Sequence, residues 1–469
     1  MDKTKVKISK KYQGYNIRRK NEADDLITNS DYGTPLGEYM RSFWQPVSLA
    51  NQVSRIPKKI KIFNEDLVIF RDGKNQIGLM QLHCAHRGAS LEYGITQDIG
   101  GIRCCYHGIH FDVNGEVLDI PSEPDRGQRV KNNLCQPAYP VIERDGLVFA
   151  YFGNPERIPN FEEWDSYSKN NGTELVPFSN IYPCNWLQVI ENIADQIHTS
   201  TLHQPKNLYD GKLPEGINFD EFTLPSFESN PVLDFHLVRQ KSAMAFVAGR
   251  RMTNDLVWWR INECILPNLS HHAYLYETGK QRRIFHRVHM ARWYVPIDNE
   301  NSIIFGWRMF GEMIDPYQKG DKKLVGNDSI DFLGGQVKGL RDNKQRQQLP
   351  GDYEAIVSQG CIASRVDEHR LSGDKGVVLF RRILTEALKN NNIETNPEYM
   401  HANAKVFFNS YTQNSILNIK AKEDVKEDQQ LIELIGKKII QIMESCPKDE
   451  PARTVYIESM LTELESLAA

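Results

Sequence analysis

The chain has 469 residues, a formal net charge of −4 and 25% charged residues, so it is long enough for two or three domains. This charge balance gives no general attraction to nucleic acid or to an anionic membrane surface, and no apolar run approaches the length of a membrane span. The eight cysteines show no regular spacing, which argues against a disulfide framework and favours a reducing, cytoplasmic compartment.

The N-terminal segment is predicted to be a solvated basic arm followed by a short helix. Residues 1–20 are rich in Lys and Arg but lack the apolar core of a signal peptide. Within residues 33–44, Leu36, Tyr39, Met40 and Phe43 recur at helical spacing. We therefore expect residues 1–44 to form an arm and a helix that packs onto the next module.

Residues 45–155 are predicted to form an all-β module. Short apolar runs, such as 60–70 and 146–152, alternate with turns of Gly, Asn and Asp. The module contains two boxes, CAHRG at 84–88 and CCYHG at 104–108, and each offers one thiol and one imidazole. Two thiolates and two neutral imidazoles are the ligand set of a Rieske [2Fe-2S] centre, which indicates electron transfer.

The candidate cluster ligands are Cys84, His86, Cys104 and His107. A tetrahedral zinc site has the same composition, but its second ligand pair is more often H-x3-5-H than the mixed pairs found here. Cys105 lies next to Cys104 and could compete for iron, but the C-x-x-H spacing to His107 favours Cys104.

The sequence around these boxes carries a family resemblance. Residues 83–121, with CAHRGASLEYG and CCYHGIHFDVNG, resemble the Rieske domain of ring-hydroxylating oxygenase large subunits. Respiratory Rieske proteins are less similar, because they carry an additional disulfide-forming Cys in each box where this chain has Ala89 and Tyr106. On the matched pattern, His83 and His110 are interpreted as ordinary loop or strand histidines.

Residues 156–420 are predicted to form a second domain after a boundary rich in Pro and polar residues at 153–161. A helical stretch is expected around 187–203. Strand-like runs follow at 235–238, 256–261, 284–295 and 302–310. This order favours an α+β domain with an antiparallel sheet and long helices. The resemblance implies a catalytic domain of the helix-grip type.

A second group of candidate metal ligands lies in this domain. Asn192, Asp195, His198 and His203 follow one another at intervals of three, three and five. On a regular helix the first three share a face, and His203 can join them only if the helix bends, widens or ends nearby. Alone, the pattern describes either a metal site or a helix with two satisfied histidines. The resembled family carries N-x2-D-x2-H-x4-H here, which implies a mononuclear Fe(II) bound by His198 and His203.

The third iron ligand is predicted to be a carboxylate, since non-haem Fe(II) commonly uses two His and one Asp or Glu. Asp352, in LPGDYEA, resembles the late Asp of the family at the start of a C-terminal helix. An Asp after Pro-Gly is also typical of a plain helix N-cap. Glu354, Asp367, Glu368 and Asp374 compete for the same role.

The resemblance also implies partners and an electron path. Electrons are expected from NAD(P)H through a separate reductase, with or without a ferredoxin, and O2 is the co-substrate. The chain shows no G-x-G-x-x-G dinucleotide loop in a suitable context. Asp195 is expected to connect His107 of one subunit to His198 of its neighbour in a homotrimer or stacked trimers, and it is grouped with Asn192 as a catalytic-site residue that does not ligate iron.

Residues 421–469 are predicted to be a helical extension with two apolar stripes, which favours core or subunit packing. The first stripe begins at Leu431 and the second at Val455.

Two functions fit these patterns. The first is a Rieske oxygenase that hydroxylates, cis-dihydroxylates or dealkylates a small aromatic or cyclic substrate, with phthalate and phenoxybenzoate dioxygenases as the most similar group. The second is an electron-transfer protein that keeps the cluster but has no mononuclear iron. Arg250, Arg251, Arg292 and His289 are candidates for contact with an acidic substrate, although a surface or core role is the preferred interpretation of each.

Overall fold

The computed structural model describes residues 22–167, 172–209, 225–275, 284–315, 320–331, 335–339, 341–389 and 407–468. The predicted basic arm at 1–20 therefore lies outside the described residues. None of the helices in these ranges is long and apolar enough to cross a membrane.

Two short helices precede the first sheet: α1 is Asp25–Thr28 and α2 is Pro35–Arg41. The Thr34 side chain accepts a hydrogen bond from the Gly37 N–H and caps α2, and Pro35 occupies the first helical position, where its missing N–H is not needed. The predicted helix is thus present, and Phe43 lies just beyond its end.

The N-terminal module consists of three small antiparallel sheets, as predicted. The first has the order β1-β10-β9, the second β2-β3-β4 and the third β5-β6-β7-β8. The strands are β1 (Trp44–Leu49), β2 (Lys58–Ile62), β3 (Glu65–Arg71), β4 (Ile77–Gln81), β5 (Ile95–Thr96), β6 (Ile102–Arg103), β7 (His110–Phe111), β8 (Val117–Asp119), β9 (Val141–Arg144) and β10 (Leu147–Tyr151).

One predicted strand in this module is wrong. The apolar run at 60–70 is two strands, β2 and β3, joined by a tight turn at Phe63 and Asn64. Both turn residues have positive φ angles, 52° and 63°. A two-residue hairpin with positive φ at both positions usually carries Asn-Gly or Asp-Gly, so the Phe-Asn pair gave no turn signal.

The second domain is built on a nine-stranded sheet with the order β12-β19-β18-β16-β15-β14-β13, to which β17 and β21 also pair. Every pairing in it is antiparallel, as predicted. Its strands are β12 (Glu174–Tyr182), β13 (Val232–Val238), β14 (Ala243–Thr253), β15 (Leu256–Ile265), β16 (Leu269–Ala273), β17 (Phe285–His286), β18 (Val288–Pro296), β19 (Ser302–Phe310) and β21 (Gln413–Asn418). A separate parallel pair joins β11 (Glu163–Trp164) to β20 (Phe407–Phe408).

Helices flank this sheet at two places. Around the candidate metal site they are α3 (Trp186–Ala194), α4 (Pro205–Leu208), α5 (Asn343–Gln348), α6 (Asp352–Val357) and α7 (Lys375–Lys389). The C-terminal extension forms α8 (Val425–Ser445) and α9 (Ala452–Ala468), as its apolar stripes predicted. Ile432 of α8 is buried against β14 and β15, and its carbonyl accepts a hydrogen bond from the Trp259 indole. The extension is part of the core of this chain.

The two sheet systems share one hydrophobic core. Phe149 of β10 meets Trp293 and Trp307 of the large sheet at ring-centroid distances of 5.3 and 5.8 Å. The Trp307 indole also donates to the Asp145 carbonyl. A second, smaller core lies beneath the two metal-ligand boxes. The predicted boundaries near residues 44, 155 and 420 stay predictions, since packing is continuous across all three.

Candidate active site

The two boxes fold into loops with the same backbone hydrogen bonds. In each loop the Cys N–H donates to the carbonyl five residues later, and the Cys carbonyl accepts from the Gly N–H four residues later. The second of these bonds measures 2.8 Å from Gly88 to Cys84 and 3.0 Å from Gly108 to Cys104. Both glycines have positive φ, 75° and 70°, a conformation that other residues resist. The two boxes therefore form structurally equivalent loops of one site.

The four predicted cluster ligands lie at two depths in these loops. Cys84 and Cys104 are each 3% exposed at the base, whereas His86 is exposed and His107 is half-buried at the tip. The centroids of the two imidazole rings are 4.7 Å apart. Burial, together with the Cys104 thiol, raises the pKa of Cys84 to about 11, so metal binding here would displace a proton. Two thiols inside and two imidazoles outside fit the asymmetric ligation of a Rieske cluster.

The sequence did not reveal the residue whose side chain supports the first loop through hydrogen bonds. Gln136 is 1% exposed, and its Oε1 accepts from the Ala85 N–H at 2.8 Å. Its Nε2 donates to the carbonyls of Gln81 and His83 at 2.7 and 3.0 Å. An isolated Gln far from the boxes carries no sequence signal for this role. The structure assigns it to loop support.

The other residues near the boxes make contacts of their own. His83 Nδ1 lies 3.0 Å from the Gly88 carbonyl, and the buried His110 Nε2 lies 2.7 Å from the Gly100 carbonyl. Cys105 is exposed, unlike the buried Cys104 beside it. That none of these three residues is a ligand stays a prediction.

The predicted helix through 187–203 is shorter than the pattern suggested. Helix α3 ends at Ala194, and Asp195 is its C-cap residue with an extended backbone. The Asp195 carboxylate accepts from the Ile197 N–H at 2.9 Å and turns the chain, so His198 begins a separate 3-10 turn. The prediction that positions 192, 195 and 198 share one helical face is therefore wrong. Of the three alternatives that would let His203 join, a helix that bends, widens or ends nearby, the structure shows the last.

This turn brings three predicted iron ligands together. The Nε2 atoms of His198 and His203 lie 3.5 and 3.2 Å from one oxygen of Asp352. Among the described residues, this is the group of His, Cys, Asp and Glu whose ligand atoms lie within 4.8 Å of one another and could hold one ion. Ligand atoms that sit about 2.1 Å from one ion are about 3 to 3.5 Å apart. The spacing fits a single metal.

Asp352 occupies the first position of α6, buried at 4% exposure. Its Oδ1 accepts from Asn192 Nδ2 at 3.2 Å, and its Oδ2 accepts from Gln336 Nε2. Burial disfavours the charged carboxylate, but the two imidazoles and the Gln336 amide outweigh it and hold the pKa of Asp352 below its ordinary value. The carboxylate is thus kept ionised and oriented.

Asp195 lies behind His198 and outside the triad. Its Oδ2 is 3.6 Å from His198 Nδ1, the nitrogen that faces away from Asp352. About a third of the Asp195 side chain is exposed (33%). Burial lowers the pKa of His198, but the Asp195 and Asp352 carboxylates together outweigh it and raise that pKa above the ordinary value. Asp195 is placed to orient the imidazole and to reach solvent or a neighbouring chain.

The competing carboxylates have other partners. Glu354 pairs with Arg341 and Arg346, each at 2.8 Å. Glu368 pairs with Arg381 at 2.6 Å. Asp374 accepts from a backbone N–H, and Asp367 accepts from Ser364. None of the four belongs to the triad.

A pocket of about 420 Å³ opens above the triad. It is lined by Asn192, Ile193, Gln196, His198, Thr199, His203, Phe227, Arg260, Asn262, His272, Leu275, Arg292, Gln336 and Asp352. Of the four residues considered for an acidic substrate, Arg292 is in this lining. The others are not in the lining. Arg250 donates to Thr199 and lies over the rings of Phe227 and Trp258. Arg251 pairs with Asp428, and His289 contacts the His272 carbonyl.

Sequence reasoning missed Arg260, Asn262, His272 and Gln336. The first two stand two positions apart in the apolar strand LVWWRINECI, so they point to the same face of the sheet. This alternation was a usable signal for a polar patch inside an otherwise apolar strand.

Comparisons with known proteins agree with the two metal sites described above. A family profile described as the Rieske [2Fe-2S] domain covers residues 43–140. The chain is 41% identical over 444 residues to the tert-butanol monooxygenase / tert-amyl alcohol desaturase oxygenase subunit of Aquincola tertiaricarbonis, covering 93% of this chain and 92% of that protein. It is 32% identical over 369 residues to the phenoxybenzoate dioxygenase subunit alpha of Ectopseudomonas oleovorans, covering 76% and 82%.

Solved structures agree on the fold. Dicamba monooxygenase bound to 3,6-dichlorosalicylic acid superposes with a TM-score of 0.52 at 18% identity, covering 76% of this chain and 99% of that chain. The predicted fold class, α+β with an all-β Rieske domain and an antiparallel catalytic sheet, is confirmed.

Proposed function

The chain belongs to the family of Rieske non-haem iron oxygenase subunits, and from this premise we propose that it is the terminal oxygenase of a multicomponent system. It is an oxidoreductase, and the relatives favour an oxygenase over a protein that only transfers electrons. The observation that carries the proposal is the triad of His198, His203 and Asp352 beneath a pocket. An electron carrier has no use for such a site.

We assign the cluster to Cys84, His86, Cys104 and His107. When bound, the cluster supplies one electron at a time, and an Fe(II) on the triad supplies open positions where O2 reacts. The protein's part is to hold these ligands in the required protonation state. Gln336 and Asn192 keep the Asp352 carboxylate oriented, and the Asp195 carboxylate lies 3.6 Å from Nδ1 of His198, on the side of the ring away from Asp352.

The proposal includes a homotrimer or stacked trimers, in which Asp195 of one subunit approaches His107 of the next. Two features support it. His86 is exposed and Tyr106 beside His107 is 58% exposed, so the loop tips are available to a neighbouring chain. Asp195 is partly exposed on the outer side of His198.

Electrons are proposed to come from NAD(P)H through a separate reductase or ferredoxin, with O2 as co-substrate. The naming of the relatives as an "oxygenase subunit" and a "subunit alpha" supports separate electron-delivering components. A cytoplasmic location is part of the proposal and is supported by the eight cysteines, all of them described, none of which forms a disulfide.

The reaction is proposed to be hydroxylation, cis-dihydroxylation or dealkylation of a small organic molecule. The relatives named above act on a tertiary alcohol and on a phenoxybenzoate. The pocket combines the apolar Phe227 and Leu275 with several polar groups, which suits a compact hydrocarbon skeleton carrying a polar substituent.

Metal analysis of anaerobically purified protein tests the proposal. We expect about three irons and about two acid-labile sulfides per chain, since a Rieske centre accounts for about two of each. Asp352→Ala should lose about one iron and keep its sulfide. Asp374→Ala is the matched control, because its carboxylate caps a turn outside the triad, and it should keep all the iron.

A wild-type value of about two irons that added Fe(II) does not raise would contradict the oxygenase proposal. Loss of iron from both Asp variants would contradict the ligand assignment.

A further inference from the structure

The wall of the pocket above the triad carries two buried arginines. Arg260 on β15 and Arg292 on β18 are 6% and 7% exposed. Arg292 lies opposite Ser270 of the intervening strand β16, so the same face presents His272 two positions on. These side chains form a polar stripe across three strands that faces the metal ligands.

Neither arginine forms an ion pair within the described parts of the chain. Arg260 donates to the Ala273 carbonyl at 3.2 and 3.3 Å. Arg292 contacts the Met290 thioether at 2.7 Å and approaches the Gln336 carbonyl oxygen at 3.4 and 3.5 Å. Buried cations without a counter-charge are costly, and most are paired. The guanidinium groups therefore have unused capacity for an acceptor.

The charges in the lining are unbalanced. Among the described residues, the pocket has two cations, Arg260 and Arg292, and one anion, Asp352. Burial, followed by the Arg292 charge, lowers the pKa of Arg260 to about 9, so Arg260 is still cationic near neutral pH. A divalent ion on the triad adds to the positive excess, since Asp352 is then committed to that ion.

A third donor points to the same space. Asn262 is 1% exposed, and its Oδ1 accepts from the Ala273 N–H at 2.7 Å. Its Nδ2 has no hydrogen-bond partner among the residues that the structure describes. Buried amide groups are rarely left unsatisfied, so this N–H group indicates an acceptor in the pocket. His272, whose pKa burial lowers well below the ordinary value, stays neutral and adds no charge.

We propose that the substrate carries a carboxylate, which Arg260, Arg292 and Asn262 bind while its hydrocarbon part lies toward the metal triad. This inference rests on the proposed oxygenase function and narrows its substrate class. Water could satisfy Asn262, but it would not neutralise two cations. A neutral alcohol, such as the one named for the 41% identical relative, would also leave that charge uncompensated.

Arginine suits this role because its planar N–H groups match the two oxygens of a carboxylate, and such charged hydrogen bonds are stronger than neutral ones. Phe227 and Leu275 line the same pocket and give an apolar surface for the rest of the molecule. The carboxylate would thus fix which carbon lies nearest the triad.

The test is calorimetric binding to the anaerobic, iron-loaded protein with carboxylates and amides of the same shape. The probes are benzoate with benzamide, phenoxybenzoate with its amide, and pivalate with pivalamide, together with tert-butanol. At least one carboxylate should bind about tenfold or more tightly than its amide. Arg260→Gln and Arg292→Gln should remove most of that preference and change amide binding little.

Two control variants test whether a loss of the carboxylate preference is specific to the arginines of the pocket. Arg382→Gln alters an exposed arginine whose partner is Glu386, and it should keep the full preference. Arg292→Lys keeps the charge but not the paired N–H groups, so it should retain part of the preference. Circular dichroism and the visible spectrum of the cluster show whether each variant is folded.

The proposal is wrong if every carboxylate binds no more tightly than its amide or tert-butanol. It is also wrong if folded Gln variants keep the preference, since the anion would then be bound by the metal alone. The proposed function fails separately, by the absence of the third iron in the wild type, so the two failures are distinguishable.

Discussion

Replacing Gln136 by Leu should loosen the first cluster loop without touching a ligand. The substitution keeps the size of the side chain but removes three hydrogen bonds, one from Ala85 and two to the carbonyls of Gln81 and His83. These groups are partly buried. At a net value of about 1 kcal/mol per bond, the loop loses about 3 kcal/mol of local stability.

A cost of this size changes how often the loop opens. Since about 1.4 kcal/mol corresponds to a factor of ten, 3 kcal/mol raises the open population roughly a hundredfold. We expect the oxidised cluster of the Gln136→Leu variant to be lost to an iron chelator about a hundred times faster than that of the wild type. The loss is followed by the visible absorbance of the cluster under anaerobic conditions.

Gln52→Leu is the matched control, because the Gln52 side chain accepts a hydrogen bond from Lys58 in the same module, away from both boxes. Its cluster should be lost within about threefold of the wild-type rate. If Gln136→Leu released its cluster at the wild-type rate, or if both variants accelerated equally, loop support by Gln136 would be refuted.

Three further predictions concern packing, pH and the triad. Ile432→Ala should destabilise the protein by about 2 to 4 kcal/mol, as judged by denaturation, whereas Leu434→Ala, at a 53% exposed position of the same helix, should cost less than about 0.5 kcal/mol. Although burial opposes it, the Arg239 cation holds the pKa of Glu263 at about 2, below its ordinary 4.5, so this carboxylate stabilises the fold above about pH 4.5 and loses that effect as the pH falls toward 2. The stability advantage of wild type over Glu263→Gln should therefore shrink between pH 5 and pH 3, and a constant difference would contradict the assignment. Gln336→Leu removes a donor to the triad carboxylate, so iron titration should show about tenfold weaker binding at the third site with the cluster intact.

The cluster boxes could be predicted because their chemistry is local. Cys84 and His86 are two residues apart, and Gly88 sits where the loop needs positive φ. The structure adds the depth of each ligand, which spacing alone does not contain. It also adds Gln136, which reaches the loop from the other side of the module.

The triad was predicted from a motif, but its local structure was not. Helical spacing favoured one continuous helix because the sequence between Ala194 and His198 contains neither Gly nor Pro. The helix ends there because the Asp195 carboxylate takes the Ile197 N–H, a local bond that competes with helix continuation. This break allows His203 to reach Asp352.

The pocket wall could be predicted least. Arg260 and Arg292 are 32 positions apart in sequence. They line the same pocket wall only because their strands, β15 and β18, are the two neighbours of β16 in the sheet. Periodicity can show that Arg260 and Asn262 share a face, but strand order decides which face looks toward the triad. Substrate-contacting residues on neighbouring strands therefore have no compact sequence signature.

The pocket and the metal ligands are connected through one amide. Gln336 donates from Nε2 to Asp352, and its carbonyl oxygen lies 3.4 and 3.5 Å from the Arg292 guanidinium. A carboxylate on Arg292 would compete with that weak contact and leave Gln336 held mainly by Asp352. Coupling between two binding events is reciprocal, so iron on the triad and an anion at Arg292 must change each other's affinity by the same factor. The part of this coupling that passes through Gln336 should vanish in Gln336→Leu. The direct attraction between the positive iron and the bound anion should remain.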